Sequence, residues 1–167
     1  ALLRALIEEE NYEADTYADI IDLLVDNEQN DMANLWIEEA IRRYPDNKTL
    51  TESAAYSHAH QERFDEAITL YNRLLDIDPY STLYWEELGK IYFQTEQYDK
   101  AIESFEFAIA INDNDCYFAM HAIANSYFNI GNYEKAEEYY QHISHDYPGA
   151  VNALYHMGIC RINMNDD

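Results

Sequence analysis

Alanines at positions 33, 67, 101 and 136 recur at steps of 34, 34 and 35 residues, each inside the same kind of amphipathic run. No single residue constrains the chain as much as this spacing. A unit of about 34 residues holds a helix-turn-helix that cannot bury its apolar face alone. Units of this kind stack, and each packs on its neighbours rather than around one common core. The 167 residues therefore count repeats and not independent globular domains. Composition agrees, since only 4 glycines and 3 prolines accompany 48% hydrophobic and 14% aromatic residues, the profile of a well-packed helical chain. The 16 tyrosines are expected as half-buried rings with their hydroxyls at the wet edge of the packing.

Trp85, Leu88, Gly89 and Tyr92 stand at i, i+3, i+4 and i+7, one stripe of a helix. After the break at Thr95-Glu96-Gln97 a second stripe follows from Tyr98, Ala101, Ile102, Phe105, Ala108 and Ile109. This predicts two antiparallel helices that approach closely at Gly89 and Ala101, with Trp85, Tyr92 and Phe105 filling the space around them. The order W-x2-L-G-x2-Y followed by A-x3-F resembles the tetratricopeptide repeat motif, and residues 82–116 are similar to that family throughout. Residues 48–81 keep Ala67, Tyr71 and Asp78-Pro79, with Thr51, Ala54, Ala55 and His58 where the motif has Trp, Leu, Gly and Tyr. Residues 117–150 keep Tyr127, Ala136, Tyr140 and Pro148, and residues 14–47 keep Ala33, Ala40 and Pro45, with Tyr17 in the tryptophan's place. One extra residue in the turn from Asn112 to Cys116 accounts for the single step of 35.

The resemblance implies an all-α fold, a right-handed superhelical array of antiparallel helix pairs of the tetratricopeptide-like α-solenoid kind. The expected organisation is one continuous solenoid domain. It runs from the second half of a preceding repeat at 1–13, through repeats at 14–47, 48–81, 82–116 and 117–150, to the first helix of a further, truncated repeat at 151–167. Leu3, Leu6 and Ile7 supply the stripe of the leading half, and Leu154, Met157 and Gly158 that of the trailing one. Such a window cut from a longer array exposes sticky terminal faces, so end-to-end self-association of the fragment is expected.

A net charge of −23, from 33 acidic and 10 basic residues spread along the chain, argues against nucleic acid, which needs a Lys/Arg footprint. It favours a basic or neutral protein or peptide as partner. No stretch reaches 18 apolar residues, so membrane insertion is not expected. Cys116 and Cys160 lie 44 apart without a CxxC pair, which makes free thiols the default and the cytoplasm the favoured compartment.

No catalytic constellation rises from the sequence, and the expectation is a chain that is not an enzyme and holds no cofactor or metal. His142 and His145 share a helix face at i, i+3, yet no third ligand is specified. Asp26-x-Glu28-x-Asn30 begins like a calcium loop, but Asp31 stands where glycine is needed and Ile37 where a bidentate glutamate is needed. It is read as an inter-helix turn, and Asp113-Asn114-Asp115 as a helix-capping turn.

The binding surface then follows from the resemblance, which implies that first helices line the concave side and that residues offset from the packing stripe face a groove. The offset row contains Asp22 and Asp26, then Glu52, Tyr56 and His60, then Glu86, Lys90, Phe93 and Gln94, then Phe118, His121, Asn125, Phe128 and Asn129, and finally Tyr155. Ala18 and Val25 fall in the same row. Its first half is acidic and its second half mixes aromatics with amides and histidine. An extended or helical peptide is expected there, its basic part against Asp22, Asp26 and Glu52, its apolar side chains against Phe93, Phe128 and Tyr155, and its main chain bonded to Gln94, Asn125 and Asn129. Lys90 and Asn125 alone resemble the carboxylate-clamping residues of one subfamily, but Glu52, Glu86 and Glu87 surround them, so capture of an acidic tail is disfavoured. Two alternatives stand beside this scaffold reading: a regulatory or substrate-docking module of a larger enzyme or signalling protein, and a self-assembling structural array.

Overall fold

The computed structural model describes residues 12–114 and 116–165, and among these the only regular elements are α-helices. They are α1 (Ala14–Asp26), α2 (Asn30–Arg43), α3 (Lys48–His60), α4 (Phe64–Ile77), α5 (Thr82–Gln94), α6 (Tyr98–Ile111), α7 (Tyr117–Asn129), α8 (Tyr133–Asp146) and α9 (Val151–Asn165). The fold is the all-α, helix-pair architecture expected from the periodicity. The apolar stripe proposed around Leu3, Leu6 and Ile7 lies outside the described residues.

Each tight turn is built the same way. Asn27-Glu28-Gln29 closes α1 with the Glu28 N–H donating to the Val25 carbonyl and the Gln29 N–H to the Leu24 carbonyl, the Schellman arrangement that satisfies the last carbonyls of a helix. The pattern repeats with Glu62 and Arg63, Glu96 and Gln97, and Gly131 and Asn132. It requires a left-handed residue, and Glu28, Glu62, Glu96 and Gly131 have φ of 57, 58, 59 and 79°. Only the last of these is the glycine that the conformation prefers. Between α6 and α7 the connection runs from Asn112 to Cys116, one residue longer than the 44–47, 78–81 and 147–150 connections. Here the Asn112 side chain accepts from the Asn114 N–H at 3.1 Å, and Cys116 at the N-cap supplies no side-chain cap. Asp115 lies outside the described residues, and among the others of this segment no side chain caps α7.

The chain divides into two compact units, residues 1–79 and 80–167. In the first, Tyr17, Ile21 and Val25 of α1 pack with Ala33, Ile37 and Ala40 of α2 and Leu50 and Ala54 of α3. Ala18 and Val25, placed by sequence in the groove row, are buried instead, because α1 packs on α3 as well as on α2. Tyr17 also departs from the wet-edge expectation. It is fully buried, its hydroxyl has no hydrogen-bond partner among the described residues, and the Arg43 guanidinium lies 5.9 Å from its ring centre. Burial raises the Tyr17 pKa and so keeps the hydroxyl protonated.

In the second unit the α5–α6 pair is antiparallel by direct contact. Trp85 stacks on Phe107 at 4.6 Å near one end, Gly89 faces Phe105 in the middle, and the Lys100 ammonium lies 5.2 Å from the Tyr92 ring centre at the other end. Phe105 is fully buried with Ala101, Ile102, Ala119 and Ile123, while Trp85 is half-buried at the edge. A second cluster joins Ala124, Ala136, Tyr140 and Ile143 to Ala153 and Cys160 of α9. The α9 stripe therefore differs from expectation, since Leu154 and Gly158 are exposed while Ala153 and Cys160 meet α8. The four alanines that mark the period, Ala33, Ala67, Ala101 and Ala136, are all fully buried.

Candidate functional site between α5 and α7

Lys90, Phe93 and Gln94 occupy one face of α5, and Phe118, His121, Ala122 and Asn125 occupy one face of α7, at the i, i+3, i+4 and i+7 spacings that align side chains on a helix. Together they line a cavity of about 500 Å³ with the Phe105 ring. The absence of a side chain at Gly89 lets that ring lie flush against α5. Phe118 meets Phe105 edge-on at 5.9 Å, so two aromatic rings from α6 and α7 form a continuous apolar wall. The Lys90 ammonium stands 5.5 Å from the Phe118 ring centre and pairs with Glu87 at 2.6 Å. That pairing offsets its charge, leaving a cavity whose character is apolar with a polar edge.

One polar edge is held by three residues in series. The Tyr140 hydroxyl donates to Asn125 Oδ1 at 2.5 Å, and Asn125 Nδ2 donates to His121 Nδ1 at 3.1 Å. A histidine that accepts at Nδ1 carries its proton on Nε2. Burial, and then the neighbouring His156, hold the His121 pKa below its ordinary value of 6.5, which favours this neutral form. Tyr140 is fully buried, and burial pushes its hydroxyl pKa up so that it remains a donor. His156 of α9 stacks on Tyr140 at 5.2 Å and donates from Nδ1 to the Asn152 carbonyl at 2.8 Å. The sequence reading missed His156 and Tyr140 as supports for the site. His156 stands beside the row that includes Tyr155, and its role depends on how α9 meets α8.

Six residues of the sequence-derived row, Lys90, Phe93, Gln94, Phe118, His121 and Asn125, thus share one cavity. The others lie outside it. Phe128 is half-buried, 5.3 Å from Tyr133 and 6.2 Å from His156. Asn129 is exposed at the end of α7, Tyr155 is exposed beside His156 at 5.3 Å, and Glu86 is half-buried on α5. In the first unit Asp22 and Asp26 are exposed one turn apart on α1. Partial burial raises the Asp22 pKa, a hydrogen bond with Ser53 opposes the rise, and the charges of Asp26 and Asp19 add to it. Glu52 pairs with Lys48 at 3.9 Å, and the Tyr56 and His60 rings lie 6.0 Å apart. His145 pairs with its neighbour Asp146 at 2.8 Å, and among the described residues no group of three or more His, Cys, Asp or Glu side chains is arranged to hold a metal ion. Among the described residues no helix is long and apolar enough to cross a membrane.

Two family models, both described as tetratricopeptide repeat, match residues 19–82 and 78–143. A peroxisomal targeting signal receptor of Kluyveromyces lactis is 29% identical over 140 residues, covering 80% of this chain and 23% of that protein. The mitochondrial import receptor subunit TOM70 of Rattus norvegicus is 31% identical over 102 residues, covering 59% of this chain and 16% of that one. The chain spans between 10% and 23% of the length of the curated relatives it matches. Among solved structures, YrrB, described as a TPR protein with an unusual peptide-binding site, superposes with a TM-score of 0.77 at 20% identity, covering 99% of this chain and 84% of that one, a likeness of fold. The repeated helix pairs, the buried alanine period and the two family matches together establish that this chain belongs to the tetratricopeptide repeat family and is a protein–protein interaction module.

Proposed function

We propose that the chain is a non-enzymatic scaffold that holds an extended or helical segment of a partner protein, with a bulky apolar side chain of that segment entering the cavity between α5 and α7. The cavity itself carries the reading: an apolar wall of Phe93, Phe105 and Phe118 bordered by Gln94 and by an Asn125 amide already oriented by Tyr140 and His121. A pre-ordered amide binds main-chain groups without losing rotamer freedom at that moment, which lowers the cost of association. The net charge of −23 favours a segment that carries basic residues as well as the apolar one. The receptor names of the curated relatives fit a role in capturing protein segments.

Selecting binders from a random dodecapeptide library with the whole chain tests this. The expected peptides carry a bulky apolar residue near Lys or Arg, and Phe93→Asp abolishes their binding. Selected peptides that bind Phe93→Asp equally well would exclude this cavity as the site. An affinity that does not fall with added salt would remove the charge component alone.

A second reading, self-association, draws on α9, where Val151, Leu154, Tyr155 and Ile162 are exposed. Sedimentation at rising concentration tests it, and a concentration-independent monomer argues against it.

A further inference from the structure

A second cavity, of about 320 Å³, opens in the same unit among α6, α7 and α8, lined by Glu106, Tyr127, Lys135, Glu138, Tyr139 and His142. None of these residues lines the α5–α7 cavity. The Tyr127 and Tyr139 rings lie 5.8 Å apart, tilted by 31°. Tyr139 donates its hydroxyl to Glu106 at 3.3 Å, and burial, followed by the Glu106 charge, lifts that hydroxyl to a pKa of about 12, so it stays a donor. Lys135 already shows what the site attracts: its ammonium rests 4.9 Å from the Tyr127 ring centre and 3.4 Å from the Tyr127 hydroxyl. Glu138 has no ion pair or hydrogen bond among the described residues. The cavity therefore combines two electron-rich ring faces and two carboxylates with a single, exposed lysine as cation.

We propose that this cavity is a binding site for an arginine side chain of a partner protein, with Lys135 as a tethered placeholder that the incoming guanidinium displaces. Arginine suits the site better than lysine on three counts. A guanidinium is planar and stacks on a tyrosine face, it presents several N–H donors to carboxylates such as Glu106 and Glu138, and it is more weakly hydrated than an ammonium. A lysine would only exchange one ammonium for another. Displacing Lys135 costs little, because an exposed cation over a ring is held weakly and regains its hydration in water. The volume lies at the small end of ligand cavities, sized for one side chain rather than a peptide. The site does not depend on the α5–α7 cavity, and either reading can fail alone.

The test is a titration of the whole chain with N-acetyl-arginine methylamide and with its neutral isostere N-acetyl-citrulline methylamide, followed by NMR shifts of the Tyr127 and Tyr139 ring protons. Saturable shifts with the arginine compound and none with citrulline are expected. Glu106→Gln/Glu138→Gln should weaken binding by about tenfold or more, the loss expected when hydrogen bonds to charged groups are removed. Lys135→Met should strengthen binding by removing the competitor, and Phe93→Asp should leave it unchanged. Equal responses to the two compounds, or Lys135→Met binding no more tightly than the parent chain, would overturn the proposal.

Discussion

A Cβ placed on Gly89 would stand 2.8 Å from Cζ of Phe105 and 2.9 Å from both of its Cε atoms, so these two residues set the separation of α5 and α6. Phe105 is fully buried and also forms the floor of the α5–α7 cavity, which ties helix packing to the candidate site. Gly89→Ala should destabilise the chain by roughly 1–2 kcal/mol, since overpacking costs about 1–3 kcal/mol and the better helix propensity of alanine returns up to about 1. Thermal unfolding measures the loss. Adding Phe105→Leu to Gly89→Ala should cost less than the sum of the two single changes, and strict additivity would contradict the contact.

The left-handed turn residues give a prediction of opposite sign. Glu28, Glu62 and Glu96 bear a conformational cost of about 1–2 kcal/mol each, and glycine would relieve it while losing about 0.4–1 kcal/mol through the greater freedom of the unfolded chain. Each Glu→Gly change should therefore raise stability by roughly 0.5 kcal/mol. Gly131→Ala, with φ of 79°, should lower it by about 1 kcal/mol. Urea midpoints at constant m-value distinguish these outcomes.

The Tyr140 hydroxyl orients Asn125 across 2.5 Å. Tyr140→Phe should cost about 1–2 kcal/mol of stability, because the half-buried Asn125 amide oxygen loses its donor. If the α5–α7 cavity binds as proposed, the same change should weaken peptide affinity while leaving arginine binding at the Tyr127–Tyr139 cavity intact. Calorimetric titrations of both ligands check the separation.

His58 is buried, its Nδ1 has no partner among the described residues, and burial, followed by the Arg63 charge, holds its pKa below 6.5. A histidine depressed in the folded state binds fewer protons than in the unfolded one, so its contribution is fully present above 6.5 and is lost as pH falls from there through the folded pKa. His58→Tyr, the residue found at the corresponding positions 92 and 127, removes that titration. The fall in denaturation midpoint on moving from pH 7.5 to 5 should be smaller in this variant than in the parent chain.

Glu39 gives a lower window. Its buried carboxylate accepts from Arg42 at 3.0 and 2.5 Å and also from Arg43, and these hydrogen bonds, that of Arg42 foremost, hold its pKa below 4.5 despite burial. The stabilisation is present above 4.5 and lost as pH falls through the folded pKa. Glu39→Gln should reduce stability at pH 7 by about 1.5–3 kcal/mol and flatten the acid limb below 4.5, as read from acid-unfolding curves.

The helix pairs and the need for a small residue at Gly89 were legible in the sequence because local periodicity and side-chain size govern them, whereas the group that meets Gly89 is the Phe105 ring and not Ala101. The buried alanines at 33, 67, 101 and 136 follow from the same local rule. The candidate site was legible only in part. A helical offset row put Lys90, Phe93 and Gln94 on one face and His121 and Asn125 on another, and these residues line one cavity. It also listed Ala18 and Val25, which α3 buries, and it passed over His156, which α9 brings against Tyr140. The left-handed glutamates escaped notice because their residue type gives no sign of that conformation, whereas Gly131 does. Periodicity along one helix determines which residues share a face, and so the repeat architecture was contained in the sequence itself. Which faces converge on a cavity, and which are covered, depends on the packing of helices far apart in the chain, and only the tertiary structure decided that.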